Sequence, residues 1–74
     1  MMKDEIVEVL KRTFELDKID ETISQKNCTQ WDSLHHLNMI VELESVFDVT
    51  FEPEEIAEMK SFTAIEKMLA QKLS

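Results

Sequence analysis

Glycine is absent from all 74 residues, and Pro53 is the only proline. These are the two residue types that most often break helices or open linkers between domains. Without them the chain has few ways to interrupt a helical run, so residues 1–74 are expected to form one domain. Apolar spacing points the same way. Ile6, Val9, Leu10, Thr13 and Phe14 recur at helical intervals and predict a first helix from about Lys3 to Leu16. A polar loop from Asp17 to Trp31 follows, with Ile19, Ile23 and Trp31 expected to pin it to the core. Loops of this length inside small domains often carry function.

A second helix is expected to start at Ser33, with Asp32 as its N-cap, and to end at Phe47 or Asp48. Pro53 suits the first position of a short third helix, with Glu54 and Glu55 in its favourable first turn. The last helix should run from Phe62 or Ala64 to Leu73, its apolar stripe made of Phe62, Ile65, Met68, Leu69 and Leu73. Ser61 can cap it, and Thr63-Ala64-Ile65-Glu66 equally matches a capping box. Val49-Thr50-Phe51 is too short for a strand. The expected fold is therefore all-α, a small bundle of three longer helices and one short one.

Such a chain holds one small core. Cys28 is alone, which excludes an internal disulfide and fits a reducing cytoplasm. No stretch approaches the roughly 18 apolar residues of a membrane span. Met1-Met2-Lys3-Asp4-Glu5 does not open like a signal peptide. A soluble, cytoplasmic monomer without membrane contact is expected. Sixteen acids against eight bases leave a net charge of −8, which opposes binding to nucleic acid. The charge is also uneven: no Lys or Arg stands between Lys26 and Lys60, a span holding Asp32, Glu42, Glu44, Asp48, Glu52, Glu54, Glu55 and Glu58. Charge runs are usually solvated faces that keep a protein soluble. Here the run surrounds the start of the second helix, which favours a docking surface for basic partners.

The second helix carries two apolar clusters. Met39, Ile40, Leu43, Val46 and Phe47 form a broad stripe expected to face the core. Leu34, Leu37 and Val41 lie on a separate arc, flanked by Asn38, Glu44, Ser45 and Asp48. A bundle this small can hardly bury both sides of one helix. Either the second arc packs under the long loop, or it is an exposed strip with an acidic border, built for transient partners. The second alternative is preferred.

Ser33 would stand at the positive end of that helix, where free backbone N–H groups favour a phosphate ester. From Trp31 to Leu73 the chain resembles the acyl carrier protein family: Trp31-Asp32-Ser33-Leu34, then Leu37, Leu43-Glu44, Phe47-Asp48, and the capped helix at Ser61-Phe62. The first helix matches only in pattern. The resemblance implies an acyl-carrier-like bundle in which Ser33 receives 4′-phosphopantetheine from coenzyme A. The arm's thiol would then hold acyl groups as thioesters. A phosphopantetheinyl transferase would supply base and metal, since nothing here activates the serine. Asp32 would lie near the nucleotide during transfer. Leu34, Leu37, Glu44 and Asp48 match positions by which such carriers dock on acyl-loading, acyl-transferring or condensing enzymes, and Asn38 and Val41 border them. The carrier would catalyse nothing itself. His35 and Asn38 replace acids usual in fatty-acid carriers, and Gln30-Trp31 replaces the usual glycine. These departures imply a specialised pathway, such as polyketide, nonribosomal peptide or modified-sugar assembly.

Other chemistries fit less well. His35 and His36 are adjacent, so they point about 100° apart and do not chelate one ion together. His36 is expected to be partly buried and His35 exposed. Ser33 and His36 lack the glycine-rich turn and the pocket that a hydrolase needs. Cys28 has no resolving partner and reads as loop or core filler. The competing function is an unmodified acidic adaptor, which explains charge and strip but leaves the placement of Ser33 as coincidence.

Overall fold

The computed structural model describes residues 2–74. Its helices are α1 (Met2–Phe14), α2 (Ser33–Phe47), α3 (Pro53–Glu58) and α4 (Phe62–Leu73). The chain is an all-α bundle of three longer helices and one short helix. Among the described residues there is no strand, only an isolated antiparallel bridge between Ser24 and Ser61.

Having no glycine shapes how the helices end. Glu15 and Asp48 take the left-handed backbone conformation that glycine usually supplies, at φ 55° and 54°. The turn closes behind each, with Leu16 N–H donating to Lys11 O (3.1 Å) and Val49 N–H to Glu44 O (3.2 Å). The first helix therefore stops at Phe14, short of the expected Leu16. At α4 the Ser61 hydroxyl accepts the Ala64 N–H (3.1 Å), so Ser61 is the cap and the Thr63 box is not used. Pro53 opens α3, and Glu55 reaches back to the Glu52 N–H at 2.7 Å.

The core draws Ile6, Val9, Leu10 and Phe14 from α1, Met39, Ile40 and Leu43 from α2, and Phe62, Ile65 and Leu69 from α4. Phe51 and Met59 close it at the two ends of α3, while Ile23, Cys28 and Trp31 enter from the loop. Two stripe assignments need correction: Val46 and Leu73 are exposed, whereas Phe47 and Met68 are half-buried and pack against the core. Val46 and Leu73 lie near the ends of their helices, where the small bundle offers no facing element. Thr13 is also half-buried, its hydroxyl donating back to Val9 O at 2.8 Å.

The loop is ordered by its own polar groups. Asp20 accepts both the N–H and the hydroxyl of Thr22 (2.8 and 2.7 Å), which holds its carboxyl below the usual range. Asn27 bridges Ser24 N–H and Thr22 O, each at 2.9 Å. Two backbone bonds, Gln25 N–H to Lys60 O and Phe62 N–H to Ile23 O, both 3.0 Å, tie the loop to the α3–α4 junction.

Candidate functional site

Ser33 is the first residue of α2 and is exposed. Its position follows from the residue before it. Asp32 is extended (φ −96°, ψ −176°), and its carboxylate accepts the His35 N–H at 2.9 Å. The same oxygen accepts the His35 ring Nδ1–H at 2.7 Å. The backbone bond first and the ring bond second hold the Asp32 carboxyl below its ordinary value, so it is anionic at neutral pH. No acid occupies the first turn of α2, so the positive end of the helix beside Ser33 is offset only by this cap.

His35 is half-buried rather than exposed. Asp32 draws its ring inward, and the ring meets the edge of Phe14 at 6.3 Å. His36 is buried, with 8% of its surface accessible. Trp31 Nε1–H donates to His36 Nδ1 (2.9 Å), and His36 Nε2 lies 2.8 Å from Ile56 O. Trp31 in turn packs on Phe14 with ring centroids 4.9 Å apart. The wheel places His36 toward the core, but its two partners come from the loop and from α3, and no local spacing announces the Ile56 carbonyl. The described residues assemble no cluster of three or more His, Cys, Asp or Glu fit to hold a metal ion.

The second apolar arc is on the surface. Leu34, Leu37 and Val41 are 66%, 54% and 62% exposed, and run along one side of α2 starting next to Ser33. Asn38 and Asp48 are exposed beside them. Glu44 differs from these. It is half-buried, and its carboxylate accepts the Phe51 N–H at 2.9 Å, holding the segment between α2 and α3. Its placement on the docking arc is thus combined with a structural bond that the sequence does not announce. Within the acidic block, Glu42 takes Arg12 (3.0 Å) and Glu55 takes Lys72 (2.7 Å). The Lys72 ammonium also sits 5.9 Å from the centre of the Phe51 ring.

Two surface concavities lie on the loop, about 370 Å³ near Ile23, Cys28 and Gln30 and about 410 Å³ near Lys26, Lys60 and Ser61, and Ser33 lines neither. The chemistry available at the site is thus that of a solvent-facing hydroxyl on a helix N-terminus, next to an apolar strip. Comparison with family models, curated proteins and solved structures finds no match to this chain.

Proposed function

We propose that this chain is an acyl carrier. Its Ser33 hydroxyl would form a phosphodiester with 4′-phosphopantetheine, and the arm's terminal thiol would hold acyl groups as thioesters for partner enzymes. The observation that carries the proposal is the exposed Ser33 at the first position of α2, capped by Asp32 and continuous with the exposed strip Leu34, Leu37 and Val41. Each part has a physical task. The helix N-terminus favours the phosphodiester's negative charge. Exposure lets a transferase reach the hydroxyl, which is too weak a nucleophile to react unaided. The strip offers apolar contact area, and the exposed acids around it would steer basic partners and speed their encounter. The departures at His35, Asn38 and Gln30-Trp31 favour a specialised biosynthetic pathway over fatty acid synthesis.

An unmodified adaptor is the second reading, because the exposed strip and its acidic border would serve one equally well. Co-expression with a broad-specificity phosphopantetheinyl transferase separates the two. The intact mass of the purified protein should rise by one phosphopantetheine group, and that of Ser33→Ala should not. An unchanged parent mass with several transferases would favour the adaptor.

A further inference from the structure

The hydrogen bonds of His36 determine where its proton sits. An indole N–H donates and never accepts, so His36 Nδ1, 2.9 Å from Trp31 Nε1, must present a lone pair. The ring proton therefore resides on Nε2 and is donated to Ile56 O at 2.8 Å. Only the neutral Nε2–H form satisfies both neighbours. A second proton must land on Nδ1, where it would face the Trp31 N–H, donor against donor. Either Trp31 withdraws or the ring turns and gives up Ile56.

Among the described residues no carboxylate pairs with the His36 ring, whose two bonds go to Trp31 and Ile56. On α2, the Asp32 carboxylate is taken by His35, and only the Asp32 backbone oxygen bonds His36, through its N–H at 2.8 Å. On α1, Phe14 packs on Trp31, and Arg12 is paired with Glu42. From the loop, Cys28 is buried, its thiol 3.6 Å from Gln30. On α3, Glu55 is paired with Lys72 and bonds the Glu52 N–H, while Glu52, Glu54 and Glu58 are exposed. None of these carboxylates bonds the His36 ring. Burial of the ring makes an unpaired charge costly.

We propose that His36 is a pH-operated clasp. In its neutral form it ties the loop, through Trp31, to α3, through Ile56. Its protonation breaks one of those ties and loosens the seam one turn along from Ser33. Acidification is what supplies that second proton, so lowering the pH is what opens the clasp. This inference concerns the unmodified chain and does not depend on what Ser33 carries.

Trp31 is the only tryptophan, so its fluorescence reports on the clasp directly. Titrating the full chain from about pH 8 to 5 should give a sigmoidal loss and red shift of emission, before far-ultraviolet circular dichroism falls. His36→Gln should give a flat profile. His35→Gln should keep the transition, which assigns it to the correct histidine. A flat parent profile, a transition that survives in His36→Gln, or one that disappears in His35→Gln would overturn the proposal. If His36→Gln does not fold, the nitrogen chemical shifts of histidine-labelled parent protein decide. At pH about 8 they should show His36 with its proton on Nε2, and a proton on Nδ1 would overturn the clasp.

Discussion

Asp32 is bound to its neighbours before any partner arrives. It caps α2 through the His35 N–H and pairs with the His35 ring, and both contacts favour the charged carboxylate. The folded state therefore holds this carboxyl below its ordinary value of 3.8. Asp20, bonded twice by Thr22, and Glu55, bonded by Glu52 N–H and Lys72, shift the same way. A depressed carboxyl contributes stability that is fully present above its unfolded value and is lost as pH falls through the folded one. Thermal melts should accordingly drop below about pH 4, and Asp32→Asn should remove part of that drop while keeping a side chain able to cap. An Asn variant with an unchanged acid profile would show that Asp32 does not contribute.

At the scale of the element, α2 carries both the core and the strip, and truncations on its two sides should differ sharply. Leu43 is fully buried, so Leu43→Ala should cost about 2–5 kcal/mol in urea unfolding. Leu37 is half in solvent, and Leu37→Ala should stay within about 0.5 kcal/mol. If Leu37→Ala proves as costly as Leu43→Ala, the strip is core. The two faces were legible because Leu37 and Leu43 fall at different angles of a 3.6-residue period, and that period needs no tertiary information. Asp32 and Ser33 were legible for a similar reason, since capping chemistry acts within four residues. What periodicity could not supply was the facing element. Val46 and Leu73 fit the stripe by angle, yet nothing packs over them. Cross-chain bonds were equally hidden: Glu44 to the Phe51 N–H, His36 to the Ile56 carbonyl, and the loop to the α3–α4 junction all join backbone groups that no spacing marks. The end of α1 was missed because Glu15 adopts a conformation expected of glycine.

The whole molecule measures 30 × 25 × 19 Å, so its sixteen acids lie within a few screening lengths of one another at physiological salt, where that length is about 8 Å. Arg12 and Lys72 neutralise Glu42 and Glu55, and Asp32 is paired with the His35 ring, but the remaining acids between Lys26 and Lys60 have no partner among the ion pairs described. Repulsion should therefore limit stability, and adding salt at pH about 7 should raise the melting temperature by screening it. A melting temperature indifferent to salt would mean that repulsion is not limiting. The same unneutralised surface is what a basic partner would meet around the strip on α2. Whether that surface serves a carrier turns on one covalent bond. Incubation of the purified chain with coenzyme A and a broad-specificity transferase, followed by tryptic digestion, releases the segment 27–60, which contains two serines, Ser33 and Ser45. Fragmentation should place a single phosphopantetheine group on Ser33 and leave Ser45 bare. An unmodified segment after treatment with several transferases, or a group carried on Ser45, would contradict the account.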